Sequence, residues 1–426
     1  LREMIKLVIL AVINTVVSII AGVSVSLWIA KFTAEPAFFL SAGLMAYIVI
    51  FFVMAKIFFR ILGIRHIRKY RMMIYAAGSL MMVILITGFL LPYHAPHEAS
   101  IVVKGQQRWD LPSGSKIAYV HLSSDKASSR PPIIFLHGGP GVADMAGDSR
   151  YFGQLTSEGF DVYVYDEVGS GHSSRLKDVR GYTVDRDVED LEFIRQKIGT
   201  DKIILIGHSY GGEIAAHYMS KYGSHVEKAV FISPGPINPK DTSSANLINR
   251  LTFTEKLPVY KELFAPRAIM TYGLLQVNPD AAHHFAGDKE MDARYDKLYA
   301  KVLPALHAKG KPHGPKLSNL GFYVSQVSFT PWAKPQPDIR HALSKSDTES
   351  LIIKASADYL SWSSAIDYKK ALRNSTLIYF PDAGHNVYQD LPNEVMAVLK
   401  AFLTDRPLPV EAYKGINPPA DYEGVH

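Results

Sequence analysis

Cysteine is absent from this chain. No disulfide, thiol nucleophile or thiolate metal ligand is therefore open to it. Charge is scarce in the first ninety residues: none falls within 7–30, 36–55 or 72–91. Each of these runs is about the length of helix that crosses a hydrocarbon core of about 30 Å. A soluble core helix would carry a polar face, and a cleaved leader would account only for the first run. The pattern predicts three transmembrane helices within a membrane region at 1–92. Two further absences narrow the field. The formal net charge of +6 comes with no basic stripe interleaved with aromatics, which argues against nucleic acid as a partner. No H-E-x-x-H spacing or carboxylate cluster accompanies His283, His284, His307 and His313, so they are expected to be exposed surface histidines. No metal and no organic cofactor is implied.

Charge that is present sets an expected orientation. Arg60, Arg65, Arg68, Lys69 and Arg71 crowd the segment between the second and third runs, whereas the first loop balances Lys31 against Glu35. Basic loops stay on the cytoplasmic side. Arg2 and Lys6 agree with an inside N-terminus, and three crossings then put all that follows Leu91 outside. The expected partners are a lipid bilayer and a small-molecule or short-peptide substrate. The location is a cell membrane, with the large domain extracytoplasmic.

After a linker at 93–106, strand and helix signals alternate. A hairpin is read at "QQRWDLPSGSKIAYVHL", and buried strands at "PPIIFLHGGPG", "FDVYVYDEVGSGHSS", "KIILIGHSYGG", "KAVFISPGP", "SLIIKASADYL" and "STLIYFPDAGHN". Alternation of this kind predicts an α/β fold, a mostly parallel sheet with helices on both faces. The first part of that core is 107–237 and the second 344–406. Between them, 238–343 loses the alternation and reads as a helical cap. The tail 407–426 is expected to be extended or poorly ordered.

Within "KIILIGHSYGGEIAAHY", Ser209 stands between an apolar strand and a helix, with Gly207 and Gly211 on either side. Gly-x-Ser-x-Gly in that setting is a nucleophile elbow. A serine hydroxyl attacks poorly without a base and an oxyanion site. His385, in a Gly-His turn behind the last strand, is the expected base, and Asp358, at the end of the strand before, its orienting acid. The expected oxyanion donors are the backbone N–H groups of Tyr210 and Gly139, the latter in "HGGPG". An imidazole base predicts activity that falls on acidification, from about pH 6.5 for an unshifted histidine. Asp166, His137, His172 and His208 read as loop-fixing residues.

On these motifs ("HGGPG", "YDEVGSGHSS", "GHSYGG", the Asp358 segment and "GHNVYQDLP") the chain resembles, from about Gln107 to Leu403, an α/β-hydrolase of the proline iminopeptidase-related group. The resemblance implies the α/β-hydrolase fold with a helical cap, Ser209 as nucleophile, Asp358 and His385 as its partners, and Gly139 and Tyr210 as oxyanion donors. In two places the chain departs from the group. Asp166-Glu167-Val168-Gly169 stands where the group often has Asp-Gln-Arg-Gly, and no Glu-Asn-His-Tyr segment occurs in the cap. Glu255, Glu262 and Glu290 are present there in other contexts. The sequence thus predicts a membrane-anchored serine hydrolase of an ester or amide, aminopeptidase-like or, alternatively, an esterase or lipase. A binding module that keeps the fold without turnover is the reading from another class.

Overall fold

The computed structural model describes residues 2–61, 68–94, 103–124, 130–241 and 246–425. Arg65 of the basic segment and most of the linker lie outside the described residues. The chain divides into two compact units: 1–95 with 261–290, and 96–260 with 291–426.

The first unit holds α1 (Arg2–Ala30), α2 (Pro36–Ile61) and α3 (Arg68–Leu90). Stretches Val8–Ala30, Pro36–Ile61 and Arg71–Leu90 are long and apolar enough to cross a membrane. The second helix runs on past Ala55 through Lys56 and Arg60, because neither residue breaks a helix and long basic side chains can reach toward an interface. Small residues let α1 and α2 approach: a Cβ on Gly22 would sit 2.9 Å from the Gly43 carbonyl oxygen. Polar groups tie the three together, with Asn14 Nδ2 donating to Phe51 O at 3.1 Å and the Tyr47 hydroxyl to Gly78 O at 3.2 Å. Segment 261–290 also belongs to this unit. Its Asn278 Nδ2 donates to Ala30 O at 2.7 Å, and its buried Arg267 donates to Phe89 O at 2.7 Å while pairing with Glu290. These carbonyls lie in the last turns of α1 and α3, where intrahelical donors run out.

The second unit is built on an eight-stranded sheet. Its strands are β1 (Gln106–Asp110), β2 (Lys116–Leu122), β3 (Ile133–Leu136), β4 (Val162–Tyr165), β5 (Ile203–His208), β6 (Val226–Ile232), β7 (Glu349–Ala357) and β8 (Ser375–Gly384), in the order β1-β2-β4-β3-β5-β6-β7-β8. β1 and β2 form the antiparallel hairpin, β2 pairs antiparallel with β4, and the remaining pairs are parallel. Parallel strands are covered on both faces, which is why β3 and β5 are buried throughout. Three helices accompany the early strands and the elbow, α4 (Met145–Phe152), α5 (Val184–Ile198) and α6 (Tyr210–Tyr222), and α7 (Phe253–Leu263) opens the insertion. The insertion continues through α8 (Pro266–Val277) and α9 (Pro279–Phe285), which belong to the first unit, and then through α10 (Asp288–Val302), α11 (Phe322–Val327) and α12 (Arg340–Leu343). Then α13 (Trp362–Ala371), α14 (Val387–Asp390) and α15 (Pro392–Leu403) close the core. Ile133, Phe135, Val162, Ile206, Ile353 and Leu399 meet in one buried cluster, each such side chain contributing about 1.5–3 kcal/mol.

The tail has no regular element among its described residues, yet it is pinned. Tyr413 N donates to Leu377 O at 2.7 Å, Glu423 N to Ser356 O at 2.8 Å, and Trp362 N to Val425 O at 2.8 Å.

Candidate active site

Ser209 closes β5 and opens α6 with φ 54° and ψ −116°, a backbone conformation that costs a non-glycine residue energy. The turn is possible because its flanks are bare. A Cβ on Gly207 would lie 2.6 Å from the Gly212 nitrogen, and one on Gly211 2.7 Å from His137 O. The serine is thereby held on the carboxyl edge of the sheet, where parallel α/β sheets present their sites.

β7 delivers Asp358 and β8 delivers His385 to the same edge. His385 Nδ1 lies 2.7 Å from Asp358 Oδ1, and Asp358 is fully buried. Burial alone would raise the Asp358 carboxyl, but Lys354 and His385 outweigh it and hold the carboxyl well below the usual range. His208 Nε2 lies 3.1 Å from the His385 carbonyl oxygen, and the two rings are 4.9 Å apart. Burial, followed by the neighbouring His385, drives His208 down to about 3, so this imidazole is neutral. Tyr359 meets His385 edge-on with ring centroids 4.6 Å apart, and burial, followed by the Asp358 charge, raises its phenol while the nearby Ser209 side chain lowers it. Ser209 and His385 therefore share Tyr359 as a neighbour. No hydrogen bond joins Ser209 to His385 among the described residues. Such bonds are often long in free enzymes and tighten on binding.

Gly138 packs on the elbow: a Cβ there would lie 3.2 Å from Ser209 Cβ. The next residue, Gly139, has φ 132° and gives its N–H to no backbone carbonyl among the described residues. Tyr210 is the first residue of α6, whose leading N–H groups have no intrahelical acceptor. Its side chain is anchored, the hydroxyl donating to Asp187 Oδ2 at 2.7 Å. Both expected oxyanion donors thus sit beside the elbow with N–H groups uncommitted to the fold.

Residues 131–390 match the sequence profile described as the alpha/beta hydrolase fold. The chain belongs to the α/β hydrolase fold family. Proline iminopeptidase of Saccharolobus solfataricus is 39% identical over 121 residues, which cover 28% of this chain and 37% of that protein. Proline iminopeptidase of Elizabethkingia meningoseptica is 25% identical over 279 residues, covering 64% and 89%. Among solved structures, proline iminopeptidase of Mycobacterium smegmatis is similar with a TM-score of 0.47 and 19% identity, over 70% of this chain and 98% of its own.

In this α/β hydrolase several side chains do what the sequence did not announce. His307 is not an exposed histidine: its Nδ1 meets Asp390 Oδ1 at 2.6 Å, and neither side chain is exposed. The other Asp390 oxygen accepts from Ala308 N at 2.9 Å and Gly384 N at 2.7 Å, while Asn386 N donates to Leu306 O at 3.1 Å. Insertion residues 306–308 thereby clamp both neighbours of His385. The glycine loop is braced likewise, Gly321 N donating to Gly141 O at 2.8 Å. His137 bridges loops, its Nδ1 donating to Gly138 O at 2.8 Å and its Nε2 accepting from Glu167 N at 3.1 Å. Glu290 is taken up by Arg267 and Tyr93 N, and Glu255 by Thr252. His283 pairs with Asp288 at 2.9 Å. Among the described residues no group of three or more His, Asp or Glu is arranged to hold a metal ion.

Sequence reasoning passed over Lys354. Its Nζ lies 2.8 Å from Asp358 Oδ2, and neither side chain is exposed. Part of the signal was there: a lone lysine in the apolar run "LIIKASA" must find a partner, and the turn just past β7, where Asp358 N donates to Ala355 O at 3.4 Å, brings the carboxylate back to it.

Proposed function

We propose that this α/β hydrolase is a membrane-anchored serine hydrolase that cleaves an ester or amide through an acyl-enzyme. The observation that carries the reading is the His385–Asp358 hydrogen bond of 2.7 Å beside a serine in strained elbow geometry. His385 Nε2 takes the Ser209 proton as Oγ attacks the substrate carbonyl. Asp358, through Nδ1, fixes the tautomer and stabilises the imidazolium. The N–H groups of Tyr210 and Gly139 hold the negative oxygen of the tetrahedral intermediate. His385 then protonates the leaving amine or alcohol, and water activated by the same imidazole releases the acyl group. Aminopeptidase-like action on short peptides draws support from the relatives, which carry the name proline iminopeptidase. The anchoring draws support from the three apolar helices. The expected site of action is the outer face of a cell membrane.

A fluorophosphonate probe should label the full chain at Ser209. Ser209→Ala should abolish labelling and lower turnover by at least about a thousandfold with an unchanged melting temperature. Retained hydrolysis in that variant would mean that another nucleophile acts. Aminoacyl-naphthylamides with free and blocked α-amines, run beside short-chain nitrophenyl esters, then separate peptidase from esterase. Loss of turnover on blocking the amine is the expected result, and indifference to it would favour the esterase.

A further inference from the structure

The Asp358 carboxylate has two faces, and the triad uses one. Oδ1 meets His385 at 2.7 Å, while Oδ2 meets the Lys354 ammonium at 2.8 Å. The lysine is completely buried and also donates to Leu360 O at 3.1 Å and Ser364 Oγ at 3.3 Å, which fills its three N–H positions. Tyr422 of the tail closes over it: the ammonium lies 5.9 Å from the ring centroid, and the Tyr422 hydroxyl donates to Leu360 O at 2.6 Å. A carboxylate that only needed orienting could be held by backbone N–H groups, as Leu360 N already does for Oδ1 at 3.1 Å. Burying a full ammonium is expensive and needs a return.

We infer that Lys354 is a positioning and charge-setting residue of the triad, which makes Asp358 half of a neutral ion pair and so lowers the pH at which the His385–Asp358 dyad takes up its proton. With Lys354 present, the unprotonated site is electrically neutral and an added proton leaves a net buried positive charge. Without it, the site begins with a net negative charge, and protonation neutralises it. Proton uptake is then favoured at higher pH. The other groups facing the site do not supply this charge. His208 is neutral, driven down by burial and His385. Tyr359 and Tyr422 are pushed up by burial and stay as neutral phenols. Burial lowers Lys354 itself, while Asp358 and, to a smaller extent, Asp241 favour its charged form.

The inference rests on the hydrolase reading, and one experiment separates the two. Fluorophosphonate labelling rates of the full chain are measured across pH for wild type, Lys354→Met, Asp358→Asn and the double variant, with melting recorded for each. Lys354→Met should move the acid limb of the profile up by about one pH unit. A folded Lys354→Met with an unmoved limb overturns the inference, since a packing role would lower rates without shifting the limb. If the lone buried carboxylate unfolds that variant, the double variant decides, because it leaves no unpaired charge. Its limb should lie above that of Asp358→Asn, and coincident limbs overturn the inference. Failure of the wild type to label, or labelling that survives Ser209→Ala, sinks the hydrolase reading instead.

Discussion

Asp187 links the residue scale to both stability and the site, since it accepts from the Tyr210 hydroxyl at 2.7 Å and so fixes the residue whose N–H is the expected oxyanion donor. Burial pushes its carboxyl up to about 8, against the lowering effect of the Tyr210 hydrogen bond. An unfolded aspartate ionises near pH 3.9. Between that value and about 8 the folded chain holds a proton that the unfolded chain has lost, so stability drains away as pH rises through this window. The loss is at most about 1.4 kcal/mol per pH unit for one group. Asp187→Asn removes the titration. The wild-type melting temperature should therefore fall more between pH 5 and pH 8 than that of the variant, as scanning calorimetry would read. Parallel declines would show that Asp187 is already ionised in the fold.

At the scale of elements, the strands from β3 to β8 were legible because each holds an apolar, largely β-branched or aromatic run that stops near Gly, Pro or Asp, and the hairpin because Gly114 marks its turn. The elbow was legible because only glycine fits at 207 and 211. Asp358 and His385 could be picked out because each directly follows such a strand. The clamp of His307 on Asp390 was hidden, since those residues are far apart in sequence and meet only once the insertion has docked. Hidden too was the tail. It is held largely through main-chain donors and acceptors, which every sequence has, so composition suggested only an extended or poorly ordered end and not where it is pinned. Some side chains add to this: Tyr413 and Tyr422 pack on Trp362 at 5.5 and 5.2 Å, and Tyr422 is 5% exposed. Tyr422→Ala should cost about 3 kcal/mol, the usual penalty for emptying a buried aromatic site. A urea midpoint equal to wild type would mean that the tail is an ornament on the fold.

For the whole molecule, the decisive question is which side of a membrane carries the sheet. Within the first unit, segment 261–290 is bonded to the last turns of both α1 and α3 through Asn278 and Arg267. Those ends must share one side of a bilayer if α1, α2 and α3 cross it in alternation, and the basic residues around Arg60 must face the other. The absence of cysteine makes this testable without background, because every introduced thiol is the only one present. Glu35, Arg60 and Lys414 are all exposed. In intact cells a membrane-impermeant maleimide should label Glu35→Cys and Lys414→Cys. Arg60→Cys should react only after permeabilisation. The opposite pattern would invert the molecule and put hydrolysis in the cytoplasm, and equal labelling of all three in intact cells would mean that the apolar helices do not cross at all. In the expected orientation the substrate reaches Ser209 from outside, so whole cells should turn over a charged aminoacyl-naphthylamide that cannot cross the membrane. Loss of that activity in Ser209→Ala cells would tie the topology to the chemistry in one measurement.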